Sequence, residues 1–184
     1  MGPHVCSWRI GFFLDNALRR IVHDPEKILG DLVGAGQTAV DVGCGPGFFS
    51  IPLAQRVGVT GAVIAADLQP EMLEKVRQRA DQAGLNGQLR LHRCQPDRIG
   101  LETQADFALA FYMVHEVPDA AAFLKEIQSL LKPGGHFLLV EPKFHVTAKA
   151  FDAITSKALD AGLIPDRDVQ IALSRARLYQ KTSG

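Results

Sequence analysis

The sequence predicts an α/β fold: a doubly wound, mostly parallel sheet that ends in an antiparallel hairpin. Three observations carry this. Short apolar runs alternate with helix-period segments nearly throughout, the pattern of βαβ units with right-handed crossovers. The run Ala62–Asp67 is almost wholly apolar, as expected of a strand covered on both faces. Two final β segments, at 169–173 and 175–181, follow one another almost without a gap. They must therefore pair antiparallel, since parallel neighbours need a crossover.

Each element has a local reason. Residues 11–22 read as a leading helix and 25–34 as a second, with Pro25 in its first turn, where a missing N–H costs nothing. The first strand is Thr38–Val42, followed by a crossover helix over 48–57. After the second strand, Pro70 opens a helix over 71–83 that Gly84 closes. The third strand is 88–94 and the fourth 106–111. Pro118 starts a helix that ends near Leu131, and Lys132-Pro133-Gly134-Gly135 turns the chain into a fifth strand, 136–141. A last helix, 147–161, stops at Gly162.

Composition narrows the function. The 184 residues fit one domain with a sizeable core, and 47% hydrophobic with 22% charged residues is ordinary for a globular chain. Twenty basic and twenty acidic residues cancel, which makes nucleic acid an improbable main partner. Cys6, Cys44 and Cys94 are odd in number and lack metal-ligand spacing, so neither a disulfide framework nor a metal site is expected. No apolar run reaches membrane-span length, and no lysine-led signal opens the chain. The expectation is a cytoplasmic protein without membrane attachment.

The most informative segment is Val40-Asp41-Val42-Gly43-Cys44-Gly45-Pro46-Gly47, where the first strand runs into a glycine turn and then a helix. Such a turn brings backbone N–H groups and a helix N-terminus to a ligand. The spacing is G-x-G-x-G, with Phe48 where a dinucleotide fingerprint places its third glycine. Asp41, ending the strand, suits a cationic amino group better than a pyrophosphate. With Asp67 24 positions after Gly43 and Leu130-Leu131-Lys132-Pro133-Gly134-Gly135 before the fifth strand, this resembles a class I S-adenosylmethionine-dependent methyltransferase of the small-molecule type. The resemblance covers roughly residues 25–181 and implies a Rossmann-like, seven-stranded sheet with its last strand reversed.

It also implies a cofactor, S-adenosyl-L-methionine, and a set of contacts. Asp41 would engage the methionine end, Gly43, Cys44, Gly45 and Gly47 would shape the turn, and Asp67 would accept from the ribose hydroxyls. Leu68 and Met72 would border the adenine, with Cys94 and Phe111 also at the cofactor. Met72 as core filler is an equal alternative, as is Asp67 as a helix cap. After the third strand the family places an acid against the adenine amino group; here Gln95 stands at that place, with Asp97 two positions on. An amide carbonyl can also accept from an amino group.

Residues after the fourth strand face the methyl group in such a fold. Here they read Phe111-Tyr112-Met113-Val114-His115-Glu116, without the Asn/Asp-Pro-Pro-Tyr/Phe signature of base and amide methylases. His115 is the candidate proton acceptor, against the alternative of a helix cap, with Tyr112 and Glu116 behind it. Glu141 and His145, flanking a proline after the fifth strand, are candidate substrate contacts. The aromatic leader Trp8 to Leu14, within a helical segment 1–24, either covers the pocket or packs on the sheet. The expected partner is a small-molecule methyl acceptor. Rival readings are an RNA or protein methyltransferase, hinted at by Arg167, Arg175 and Arg177, and a cofactor-binding subunit without an acceptor site.

Overall fold

A computed structural model of the chain describes residues 22–182. Seven strands form one sheet: β1 (Thr38–Val42), β2 (Ala62–Asp67), β3 (Leu89–Arg93), β4 (Ala105–Phe111), β5 (Leu131–Pro142), β6 (Leu163–Asp168) and β7 (Ser174–Lys181). Their order is β3-β2-β1-β4-β5-β7-β6. The first five are parallel, and β7 runs antiparallel to both β5 and β6. Around it lie helices α1 (Pro25–Leu29), α2 (Ser50–Val57), α3 (Pro70–Ala83), α4 (Ala120–Leu130) and α5 (Ala148–Asp160) and a 3₁₀ turn, Val114–Glu116. The chain winds outward from β1 to β3 and then returns to β4 beside β1. That reversal opens a crevice at the carboxyl ends of β1 and β4, where ligands of such sheets bind.

Strand periodicity explains the two layers. Along β4, Phe107, Leu109 and Phe111 point to one face, where Leu53 and Val57 of α2 and Val76 and Ala80 of α3 pack. Ala108 and Ala110 point to the other, beneath Leu124 and Ile127 of α4 and Ala158 of α5. The small alanines let α4 approach closely, while Phe107 fills the opposite side. Asp106, at the start of β4, accepts from the Thr38 backbone N–H at 2.8 Å and from Lys132 Nζ at 2.8 Å, tying β1, β4 and β5 at their amino ends.

Several boundaries differ from the sequence reading, for physical reasons. The strand before β7 is Leu163–Asp168, not 169–173. Val169 and Ile171 are apolar because they pack under the sheet from the connecting loop, while β6 is an exposed edge strand paired on one side only. Helix α4 begins at Ala120 rather than Pro118, because the Asp119 carboxylate accepts from the N–H groups of Ala121 and Ala122. Helix α1 stops at Leu29, ahead of Gly30 with φ of 40°, rather than running to residue 34. The Pro-Gly-Gly segment is absorbed into β5 as a bulge: Ala105 pairs with Leu131 but Phe107 with His136. Most of the expected leading helix, 11–22, and the aromatic leader lie outside the described residues. Among the described residues no helix is long and apolar enough to cross a membrane.

Phe107 is wholly buried in β4. Phe107→Ala should destabilise the fold by ~3–5 kcal/mol in urea unfolding, whereas a change at exposed Val59 should stay within ~0.5 kcal/mol.

Candidate functional site

The glycine turn and the end of β2 form one unit. Gly43 and Cys44 donate their backbone N–H groups to the Ala66 carbonyl at 2.8 and 3.1 Å. One residue on, the Gly45 N–H donates to Asp67 Oδ2 at 2.9 Å, and the Gln69 N–H donates to Asp67 Oδ1 at 2.9 Å. The carboxylate thus pins the turn to β2 while lining the cleft. Burial pushes the Asp67 carboxyl above its usual range, and the hydrogen bonds from Gln69, Gly45 and Leu68 oppose that only in part.

The glycines differ in purpose. Gly43 has φ of 66°, and a Cβ there would lie 2.8 Å from Met113 Cγ. Gly45 has φ of 53°, but its missing Cβ would meet nothing within 4 Å; it borders open space. Gly47 packs on Val76 and does not line the cleft.

A cleft of about 250 Å³ opens over this unit. Of the expected cofactor residues it is lined by Asp41, Gly43, Cys44, Gly45, Asp67, Leu68, Met72, Cys94, Gln95 and Phe111, and Tyr112 also reaches it. Asp41 is buried and accepts from Ser50 Oγ at 2.5 Å. Burial, then the charges of Asp41 and Asp67, push the Cys44 thiol well up, and burial with the charge of Asp67 raises that of Cys94 to about 12. Gln95 is exposed at the rim, its Oε1 accepting from Arg98 Nε at 3.0 Å, and Asp97 lines the same rim. An adenine amino group would therefore compete with Arg98 for the Gln95 carbonyl.

The cleft is strongly acidic. Asp41, Asp67, Asp97, Glu116, Asp119 and Glu126 line it, against Arg98 as the basic residue among the described lining. In a chain of zero net charge this concentrates negative potential where a ligand enters.

After β4 the backbone turns sharply. Tyr112 holds φ of 64°, the left-handed region that non-glycine residues rarely occupy. Its hydroxyl is 2.6 Å from Ser174 Oγ and 3.1 Å from His23 Nε2, and Ser174 Oγ donates to the Ala172 carbonyl. The hydroxyl is thus engaged with the loop before β7, and what Tyr112 offers the cleft is its ring. That ring lies 4.4 Å from Phe111, which lies 4.6 Å from Phe49, giving one wall an aromatic face.

His115 sits on a 3₁₀ turn, Val114–Glu116. It does not line the cleft; its neighbour Glu116 does. Its Nδ1 is 2.5 Å from Glu141 Oε2, and its backbone N–H donates to Glu141 Oε1 at 3.2 Å. Burial lowers the His115 pKa, but the hydrogen bond and charge of Glu141 outweigh it and the net shift is upward. Glu141, read from sequence as a substrate contact, is fully buried and faces His115 rather than the cleft. His145 also lies off the cleft, its ring 4.7 Å from that of His115.

Comparison with known proteins decides the family. The family described as a methyltransferase domain matches residues 34–176, most of the chain. The chain belongs to the class I S-adenosylmethionine-dependent methyltransferases. It is 35% identical over 109 residues to a demethylmenaquinone methyltransferase of Oceanobacillus iheyensis, covering 59% of this chain and 46% of that protein. It is 31% identical over 127 residues to an aklanonic acid methyltransferase of a Streptomyces species, covering 68% and 54%. The chain thus spans about half the length of these curated relatives. In fold, it superposes on a crystal structure of an S-adenosylmethionine-dependent methyltransferase from Aquifex aeolicus with a TM-score of 0.84, at 24% identity, covering 96% of this chain and 99% of that one.

Ser50, Ser174, His23, Arg98 and Glu126 were not singled out in the sequence. Glu126 Oε2, for example, accepts from the N–H groups of Ile99 and Gly100, 27 and 26 positions away. Such partners are set by tertiary placement and leave no local spacing to read.

The turn geometry separates two alanine substitutions. Gly45→Ala should cost only the left-handed backbone penalty of ~1–2 kcal/mol. Gly43→Ala should cost that plus an overpacking penalty of ~1–3 kcal/mol against Met113. Paired urea titrations should therefore rank Gly43→Ala as clearly the less stable.

Proposed function

We propose that this chain binds S-adenosyl-L-methionine in the acidic cleft and transfers its methyl group to a small-molecule acceptor. The observation that carries the reading is the Gly45–Asp67 unit set in a cleft lined by carboxylates. The residues fit the cofactor. Asp67 presents a carboxylate to the cleft that can accept from a ribose hydroxyl, Gly45 leaves open space beside it, and the acidic lining favours a ligand that is cationic at both ammonium and sulfonium. Leu68 and Met72 would flank the adenine, with Gln95 or Asp97 at its amino edge.

When bound, this cofactor supplies an electrophilic methyl carbon for in-line displacement. The chain's own contribution is positioning: the aromatic wall of Phe49, Phe111 and Tyr112 excludes water and holds a flat acceptor against the reacting carbon. Orientation of this kind can contribute ~7–11 kcal/mol. His115, next to the lining residue Glu116, is the group placed to take a proton from an acceptor hydroxyl or activated carbon. The relatives named for demethylmenaquinone and aklanonic acid support acceptors of that class. An RNA acceptor is disfavoured by the acidic cleft, and two arginines of the C-terminal hairpin are already paired, Arg167 with Asp166 and Arg177 with Asp168.

S-adenosylmethionine and its demethylated product should each raise the melting temperature and NAD should not; at 100 times its dissociation constant a ligand stabilises by ~2.7 kcal/mol. A shift with NAD alone would refute the proposal. Transfer of label from the cofactor to reduced demethylmenaquinone, measured against buffer controls, tests the acceptor class.

Affinity should also depend on pH. Ribose hydroxyls bond more strongly to ionised than to protonated Asp67, so the complex holds that carboxyl at a lower pKa than the free protein, where burial raises it. Cofactor affinity is therefore flat above the raised pKa and falls as pH drops through it, approaching tenfold per pH unit. Calorimetry across the acidic range should show the fall beginning at higher pH than for an ordinary aspartate.

A further inference from the structure

Glu141 is the most deeply buried carboxylate among the described residues, with no exposed surface at all. Enclosing an ionised carboxylate is costly unless its oxygens are matched by donors. Both oxygens go to one residue: Oε1 accepts from the His115 backbone N–H at 3.2 Å, and Oε2 lies 2.5 Å from His115 Nδ1. Arg175 stands opposite Glu141 in the β5–β7 register, so a ready ion-pair partner for a purely structural glutamate was to hand. The carboxylate bonds instead from β5 to the turn that follows β4, the segment bordering the cleft.

We infer that Glu141 is a positioning residue for methyl transfer, holding His115 as the tautomer protonated on Nδ1 so that Nε2 is the proton acceptor beside the cleft. The inference rests on the methyl-transfer reading above. An ionised carboxylate can only accept, so Nδ1 carries a hydrogen, and in the neutral ring the lone pair is then on Nε2. Nε2 lies 3.8 Å from Glu116 Oε1, and Glu116 lines the cleft. The His145 ring, 4.7 Å away, restricts the imidazole from the other side. Glu141 from β5 and Glu116 on the same turn are the charges that raise its pKa against burial, and His145 after β5 and Arg175 on β7 are the other titratable or charged groups of the elements packed around it.

The proton balance is simple. An acceptor O–H or activated C–H gives its proton to Nε2 while its electron pair forms the bond to the methyl carbon. The C–S electron pair leaves with sulfur. The imidazolium that results is stabilised by Glu141 and returns its proton to solvent. A carboxylate that orients an imidazole and stabilises its charged form in this way does not itself take up the proton.

The test compares wild type with Glu141→Gln, an isostere that keeps the shape of the buried site, and with His115→Gln. In ¹⁵N-histidine NMR, wild-type His115 should be a single Nδ1–H tautomer titrating above an ordinary histidine. In Glu141→Gln its midpoint should fall and the tautomers should mix. Cofactor affinity by calorimetry should be unchanged in both variants. With reduced demethylmenaquinone as acceptor, kcat should fall ~10²-fold or more in His115→Gln and at least about tenfold in Glu141→Gln. The acid limb of the Glu141→Gln rate profile should move to lower pH, with KM for the cofactor unmoved. An unchanged tautomer and midpoint in Glu141→Gln, or a wild-type kcat and pH profile, would overturn the assignment. Failure of the wild-type protein to bind cofactor would refute the methyl-transfer reading separately, and the NMR comparison would still decide what Glu141 does to His115.

Discussion

The hydrogen bond from the Gly45 N–H to the Asp67 carboxylate is the contact on which the site depends. It joins the turn after β1 to the end of β2, so that two adjacent strands present one continuous rim. Without it the turn would keep its ties to the Ala66 carbonyl but lose its link to the Asp67 side chain. The arrangement carries its own cost, since burial makes the Asp67 charge less favourable. Folded proteins retain such charges where they are used, and here the retained charge faces the space left open above Gly45.

A second constraint lies across the cleft. Tyr112 is forced into the left-handed region, and the strain is held by side-chain contacts to Ser174 and by the ring stack on Phe111. The turn this creates brings Met113 against Gly43 and sets His115 over Glu141. The two halves of the site are therefore interlocked: a methyl group on Gly43 would push directly on the segment that carries the candidate proton acceptor. Local strain at a ligand cleft is a common form of preorganisation.

The fold was largely legible in the sequence because a doubly wound sheet writes itself in alternating periods. β1 and β2 fall at the residues their apolar runs indicate. The reversed strand followed from the short gap before β7. What misled was the segment 169–173, where Val169 and Ile171 pack beneath the sheet from a loop; burial explains their apolar character. The glycine turn and the carboxylate beside it, which line the cleft, were legible because glycine spacing and a carboxylate at a strand end have a direct physical meaning. The pairing of His115 with Glu141 was not, since 26 positions separate them and only the β4–β5 contact brings them together. The same holds for Tyr112 with Ser174, 62 positions apart.

The account turns on Asp67 as the group that binds ligand while ordering the turn. Calorimetry of S-adenosylmethionine binding to Asp67→Asn, with circular dichroism and urea unfolding in parallel, is the most direct measurement. An asparagine presents one acceptor and one donor, so it cannot accept from both Gly45 and Gln69 and still receive ribose hydroxyls. The predicted result is a native-like spectrum with affinity reduced by ~1.5–3 kcal/mol per charged hydrogen bond lost, roughly ten- to hundredfold for a single bond. Wild-type affinity in a folded Asp67→Asn protein would contradict the central claim.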